Sequence, residues 1–162
     1  MDTSTDLAVR LGQALKARNL LLTSAESCTG GGIAQAITEI AGSSEWFDCG
    51  FVTYSNASKH ELLDIPEALI AQHGAVSEEI ASAMARGAIA NSNADIAVST
   101  TGIAGPGGAV PGKPVGTVCF GWKTGDRTLT ERLVFSGDRH AVREQAVIHA
   151  LQGLLRLLNA AD

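Results

Sequence analysis

The sequence predicts an α/β fold with three layers, α/β/α, built on a mixed sheet of about four to five strands. Helical and strand patterns alternate along most of the chain, which is typical of parallel strands joined by covering helices. Two consecutive strand patterns then precede the last helical one, which adds an antiparallel hairpin. Because the sequence contains no repeat, low-complexity segment or linker, we expect residues 1–162 to form a single domain.

Apolar residues at helical spacing predict a first helix over residues 5–18, capped by Thr3 or Thr5 and ended by Asn19. A short strand follows over residues 20–25. The next predicted elements are a helix over 28–41 closed by Gly42, a strand over 46–54, and short helices over 57–63 and 66–73. Gly74 stops the last of these, and Ser77 is a good cap for the helix that comes after it.

The helix after Ser77 has a face of small and apolar residues, namely Ile80, Ala83, Met84, Gly87 and Ala88. Such a face suits close packing in a core or in a self-association surface, and we expect a homo-oligomer. Residues 95–101 form a strand, and residues 102–114 a long Gly/Pro loop, a type of loop that is often functional. Strands over 115–123 and 127–135 turn at 124–126, and the last helix covers 136–159 with a leucine-rich stripe.

Composition excludes several classes of protein. A hydrophobic fraction of 45% argues against disorder, and a net charge of −5 argues against a nucleic-acid binder. No apolar run approaches the roughly 20 residues of a membrane span, and the polar, acidic N-terminus does not resemble a secretory leader. The three cysteines form no C-x-x-C pair, so we expect free thiols and a cytoplasmic location.

The stretch TSAESCTGGG, residues 23–32, is the feature around which the rest of the chain is organised. It predicts a strand, a tight turn and a helix start, where unpaired backbone N–H groups attract anions. Ser27 in this turn is a candidate nucleophile, and the amides of Cys28, Thr29 and Gly30 are candidate oxyanion donors. Glu26 either orients the nucleophile or complements the helix dipole.

A serine nucleophile requires a base, and neither S-x-x-K nor G-x-S-x-G is present around Ser27. The segment TYSNASK, residues 53–59, supplies a candidate in Lys59, which falls in the first turn of a helix if Asn56 is its cap. The helix start and partial burial both lower the pKa of a lysine. Tyr54 is placed to relay a proton or to hold the lysine.

Six blocks together resemble the CinA C-terminal family, the nicotinamide-nucleotide amidohydrolases or NMN deamidases. They are AESCTGG (25–31), GFVTYSN (50–56) with Lys59, GAVS (74–77), GIAGP (102–106), KPVGTV (113–118) and FSGDR (135–139). The blocks follow the family order and cover residues 5–158. The resemblance implies hydrolysis of the carboxamide of nicotinamide mononucleotide (NMN) to nicotinate mononucleotide and ammonia. It further implies Ser27 as nucleophile, Lys59 as base and Tyr54 assisting, with neither metal nor cofactor. Because the additional N-terminal domain of many members is absent from the sequence, we expect the standalone form.

The phosphate of a nucleotide substrate needs an anion site. Candidate substrate-binding residues lie in the glycine-rich turn (Cys28, Thr29, Gly30, Gly31), in the Gly/Pro loop region (Thr101, Gly102, Gly105), and at Arg139 or Arg143.

The sequence is compatible with three alternatives. Cys28 is a possible nucleophile, because a helix N-terminus lowers the pKa of a thiol. A metal hydrolase is a second possibility, although the four histidines are scattered and form no H-x-x-x-H pattern. The third is a non-enzymatic interaction protein linked to competence and DNA damage, which the family's name suggests.

Overall fold

The computed structural model describes residues 2–160 and confirms the predicted α/β fold. The strands are β1 Leu22–Glu26, β2 Phe47–Val52, β3 Ile96–Gly102, β4 Thr117–Thr124 and β5 Arg127–Val134. The helices are α1 Ser4–Arg18, α2 Gly32–Thr38, α3 Asn56–Leu63, α4 Glu67–His73, α5 Glu78–Ala90 and α6 Arg139–Ala160, with a short 3₁₀ helix at Ser43–Glu45. No helix within the described residues is long and apolar enough to cross a membrane.

The five strands form one mixed sheet in the order β2-β1-β3-β4-β5. The strand β1 pairs in parallel with β2 on one side and β3 on the other, and Glu26 lies opposite both Val52 and Thr100. The hairpin β4–β5 continues the sheet in antiparallel fashion. The chain reverses its direction of winding at β1, so the carboxyl ends of β1, β2 and β3 meet at a topological switch point, where α/β sheets bind their ligands.

Each face of the sheet is covered by helices and has its own apolar core. One core joins the sheet to α1, α2 and α6 and contains Leu11, Ile33 and Leu154. The other joins it to α3, α4 and α5 and contains Leu63, Ile80 and Met84. The leucine-rich stripe of α6 is buried in the core that α6 shares with α1 and α2, which confirms the prediction for the last helix.

Several predicted boundaries are wrong for local reasons. The helix α2 begins at Gly32 rather than at residue 28, because Gly30 and Gly31 have φ angles of 58° and 101° and form a left-handed turn instead. It ends at Thr38, well before Gly42. Ser55, not Asn56, caps α3, and Asp138 caps α6 through a bond that its carboxylate accepts from Ala141 N.

The small-residue face of α5 belongs to the core of this chain. Ile80, Ala83, Met84, Gly87 and Ala88 are all buried, and a Cβ placed on Gly87 would lie 2.2 Å from the carbonyl oxygen of Leu63. The face therefore gives no reason to expect self-association, which stays a prediction. Close approach of α3 and α5 explains why glycine stands at this position.

We expect Gly87→Ala to lower the free energy of unfolding by about 1–3 kcal/mol, because an added methyl forces α3 away from α5. Gly107→Ala is the matched control, since a Cβ there meets no atom within 4 Å. Chemical denaturation of both variants is the measurement. Equal stability of the two variants would show that α3 and α5 are not packed as closely as the structure has them.

Candidate active site

Ser27 directly follows β1, at the switch point of the sheet. Its amide donates to the carbonyl oxygen of Thr100 at 2.9 Å, and the amide of Thr53 donates to the carbonyl oxygen of Glu26 at 2.9 Å. The main chain at the candidate nucleophile is therefore tied to β3 on one side and to the segment after β2 on the other. The Ser27 side chain is 8% exposed, so its hydroxyl lies in a pocket rather than on the open surface.

Lys59 reaches Ser27 from α3. Ser55 Oγ accepts from Ser58 N and begins this helix, which places Lys59 in its first turn. The Lys59 Nζ lies 3.1 Å from Ser27 Oγ, and it donates to the carbonyl oxygens of Thr53 at 2.9 Å and Tyr54 at 3.4 Å. The structure thus brings the two predicted side chains into hydrogen-bond contact, although they stand 32 positions apart in the sequence.

The surroundings of Lys59 favour its neutral form. The side chain is 1% exposed, and no carboxylate of residues 2–160 lies within ion-pair distance of it. Burial lowers the pKa of Lys59, against a smaller opposing effect from the neighbouring Cys28. A neutral amine accepts a hydrogen bond from the serine hydroxyl and can take its proton.

Tyr54 contacts the lysine through its main chain rather than its ring. Its carbonyl oxygen accepts from Lys59, whereas its hydroxyl accepts from Arg139 Nη2 at 3.0 Å. The Tyr54 side chain is 62% exposed and lies at the rim of the pocket. The structure thus agrees with a role in holding the lysine and shows no direct bond for a proton relay from its ring to Lys59.

The start of α2 is occupied by a carboxylate of the protein itself. Glu26 places its carboxylate at the start of α2, where Oε1 accepts from Ile33 N at 2.9 Å and Oε2 accepts from Ala34 N at 3.1 Å. Thr29 Oγ1 donates to the same carboxylate at 2.5 Å. The protein's own carboxylate therefore occupies the Ile33 and Ala34 amides, which argues against a substrate anion on them, and the substrate-binding role of the turn stays a prediction.

Two amides of the turn stay available as oxyanion donors. The Gly30 amide is used internally, since it donates to the Ser27 carbonyl oxygen at 3.0 Å. The amides of Cys28 and Thr29 donate to no other residue between 2 and 160. The turn thus keeps two of the three donors expected beside the nucleophile.

A pocket of about 240 Å³ opens over Ser27 and Lys59. Its other lining residues are Cys28, Tyr54, Asn56, Ala75, Val76, Thr101, Gly102, Ala104 and Arg139. Of the predicted substrate-binding residues, Cys28, Thr101, Gly102 and Arg139 therefore lie at the site. Asn56, Ala75, Val76 and Ala104 are not predicted as site residues from the sequence, although they belong to the quoted blocks 50–56, 74–77 and 102–106.

Five predicted binding residues do not line this pocket. Gly30 and Gly31 shape the turn, and the Gly105 carbonyl oxygen accepts from Arg139 Nη1 at 2.8 Å. The Thr29 hydroxyl hydrogen-bonds to Glu26 and Thr100. Arg143 donates from Nε to the Cys28 carbonyl oxygen at 3.1 Å and thereby supports the turn from behind.

A second cavity, of about 690 Å³, adjoins the first. The two share Ala104 and Arg139, whereas Arg143 and His140 line the second cavity but not the first. Arg139 thus lies at the boundary between the two cavities. Its Nη2 donates to the Tyr54 hydroxyl and its Nη1 donates to the Gly105 carbonyl oxygen. A ligand whose reactive end lies against Ser27 can extend past Arg139 into this larger space.

Cys28, the competing nucleophile, lines the pocket but is not activated as a thiolate. Burial, reinforced by the charge of Glu26, raises the pKa of the Cys28 thiol to about 12. A thiol that stays protonated is a weak nucleophile.

A metal hydrolase would need a cluster of metal ligands. Within residues 2–160, no three His, Cys, Asp or Glu side chains cluster closely enough to hold a metal ion.

Comparisons with known proteins agree on one family. The model of the CinA C-terminal domain matches residues 4–158. The chain is 57% identical over 157 residues to the nicotinamide-nucleotide amidohydrolase PncC of Pseudomonas putida, covering 97% of this chain and 98% of that protein. Against PncC of Escherichia coli K12 it is 55% identical over 149 residues, covering 91% and 90%.

Solved structures give the same result. A competence-damaged protein (CinA) superfamily protein from Klebsiella pneumoniae superposes with a TM-score of 0.95 at 39% identity, covering 98% of this chain and 99% of that one. The competence/damage inducible protein CihA from Agrobacterium tumefaciens superposes with a TM-score of 0.94 at 41% identity, covering 98% and 97%.

Proposed function

The chain belongs to the CinA C-terminal domain family, and from that premise we propose that it hydrolyses the carboxamide of NMN to nicotinate mononucleotide and ammonia. The observation that carries the proposal is the 3.1 Å contact between Ser27 Oγ and the buried Lys59 Nζ. Relatives at 55–58% identity carry the name nicotinamide-nucleotide amidohydrolase, which favours this function over that of a competence-linked interaction protein.

In the first half of the reaction Ser27 attacks the carboxamide. Its oxygen bonds to the carbonyl carbon while its proton passes to Lys59 Nζ. The amides of Cys28 and Thr29 stabilise the negative oxygen of the tetrahedral intermediate. Lys59 then gives its proton to the amide nitrogen as the C–N bond breaks, so that ammonia leaves and a Ser27 ester remains.

Water completes the reaction. Lys59 is neutral again after ammonia has left, and it takes a proton from the water that attacks the ester carbon. Lys59 gives this proton to the serine oxygen as the C–O bond to Ser27 breaks, which frees nicotinate mononucleotide and restores the neutral amine. The Thr53 and Tyr54 carbonyl oxygens accept bonds from Lys59 throughout, and so hold its nitrogen against the reacting groups.

The direct test is an assay of the purified protein with NMN. We expect ammonia and nicotinate mononucleotide to appear in equal amounts. A protein that releases neither product, yet binds a defined protein partner, would support the interaction-protein alternative instead.

The substrate phosphate lies beyond Arg139 in this proposal. With the start of α2 filled by Glu26, two cationic side chains at the second cavity, Arg139 and Arg143, are candidates for the phosphate. Arg143 holds the main chain of the turn, whereas Arg139 faces both cavities. Arg139 is therefore the better candidate for contact with the nucleotide's phosphate.

We expect Arg139→Met to raise KM for NMN by roughly tenfold to a hundredfold, the value of a lost charged hydrogen bond. The same variant should show a much smaller change with nicotinamide riboside, which has no phosphate. Steady-state kinetics with the two substrates is the measurement. Equal losses on both would assign Arg139 to the shape of the pocket mouth and not to the phosphate.

A further inference from the structure

Glu26 is a buried carboxylate that the mechanism above does not use. Its side chain is 1% exposed, and it accepts three hydrogen bonds from α2 and the turn. A carboxylate is rarely buried unless its bonds are all met. Because Glu26 directly precedes the nucleophile, these bonds also act on the main chain of the site.

The bonds tie three pieces of structure together. The first is the start of α2, through Ile33 N and Ala34 N. The second is the turn, through the Thr29 hydroxyl. The third is β3, because Thr29 Oγ1 also lies 2.7 Å from Thr100 Oγ1, and Thr100 receives the Ser27 amide through its carbonyl oxygen.

This network encloses the two amides that the reaction needs. The amides of Cys28 and Thr29 lie between Ser27, which is anchored to β3, and Thr29, which is anchored to Glu26. Gly30 and Gly31 follow at positive φ and do not fix the turn by side chains of their own. The bond from the Thr29 hydroxyl to Glu26 therefore ties the turn to the end of β1, the strand that precedes the nucleophile.

Resting on the proposed function, we propose that Glu26 is a positioning residue for it. Its carboxylate holds residues 27–31 so that the Cys28 and Thr29 amides meet the oxyanion formed when Ser27 attacks. Glu26 acts through the turn and touches no reacting atom. A residue that only caps α2 would affect stability alone, whereas a positioning residue lowers kcat in a folded protein.

Glu26→Gln is the informative variant, because it keeps the size of the side chain but replaces one accepting oxygen with a donor. We expect kcat to fall by about tenfold to a hundredfold, as for a small misplacement of catalytic groups, with KM changed by less than about threefold. Thr3→Ala is the matched control, since it removes the side-chain cap of another helix, α1, and Thr3 lines neither of the two cavities described above. The control should keep wild-type kcat.

A second readout does not depend on NMN. Labelling of Ser27 by a small sulfonyl fluoride, followed by peptide mass spectrometry, measures the reactivity of the serine itself. We expect labelling to slow by about the same factor in Glu26→Gln and to be unchanged in Thr3→Ala. Thermal unfolding of each variant shows that the folded protein is being measured.

The outcomes separate this inference from the proposed function. Wild-type protein that labels at Ser27 but does not hydrolyse NMN would refute the function, and the labelling rates would still decide the role of Glu26. Unchanged kcat and labelling in folded Glu26→Gln would overturn the inference, as would the absence of any labelling in the wild type. If Glu26→Gln does not fold, Thr29→Val removes the same link, and unchanged labelling there would overturn the inference.

Discussion

Replacement of Lys59 with methionine should reduce ammonia release from NMN by about a thousandfold or more, because the variant has no base for Ser27 and no proton for the leaving nitrogen. Methionine keeps an unbranched side chain in the space that Lys59 fills. The variant should also stay folded: it leaves the Thr53 and Tyr54 carbonyl oxygens unpaired, but it no longer buries an amine.

Lys16→Met is the control for this experiment, since the Lys16 ammonium is exposed and pairs with Glu45 at the surface. Initial rates of ammonia release, with circular dichroism to check the fold, give the comparison. Wild-type turnover by folded Lys59→Met would remove Lys59 from the mechanism.

The pH dependence of the wild-type protein is a second readout of the same group. Burial lowers the pKa of Lys59 below its ordinary value of 10.5, and only the neutral amine acts as a base. We therefore expect kcat/KM to rise with pH as Lys59 loses its proton, with a midpoint below 10.5. The unfolded chain binds the proton more tightly, so the cost of burying Lys59 also shrinks as pH rises.

Substitution of Ser27 by alanine should have the other large effect, a loss of about a thousandfold or more, because no oxygen remains to form the ester. Cys28→Ala tests the neighbouring thiol in the same assay. It retains the main-chain amide of residue 28, so we expect its turnover to stay within about threefold of the wild type. The opposite pattern, an active Ser27→Ala and an inactive Cys28→Ala, would transfer the nucleophile to the thiol.

The meeting of Ser27 and Lys59 could be predicted because it depends on local patterns. Ser27 follows one strand, Lys59 follows the next by a few residues, and the ends of neighbouring parallel strands meet at one sheet edge. The pattern of residues also gave the cap at Ser77 and the buried face of α6. The place of each residue in these features follows from the strand or helix to which it belongs or which it adjoins.

Features that depend on long-range packing were less predictable. The bond from Arg143 to the Cys28 carbonyl oxygen spans 115 positions, and nothing in the local sequence shows which way the arginine points. Likewise, the sequence leaves two roles open for Glu26, and the local pattern does not show that its carboxylate accepts bonds from Ile33 N and Ala34 N at the start of α2. The substrate-binding role of the turn stays a prediction.

The proposed mechanism requires that Ser27 Oγ forms the bond to the substrate while Lys59 serves as the base. Rapid acid quench of the wild-type protein with NMN, followed by peptide mass spectrometry, tests this directly. We expect a nicotinate mononucleotide ester on Ser27 in the peptide that contains it, and no such ester in Lys59→Met. An adduct on Cys28, or turnover of NMN with no adduct at any time before steady state, would contradict the account.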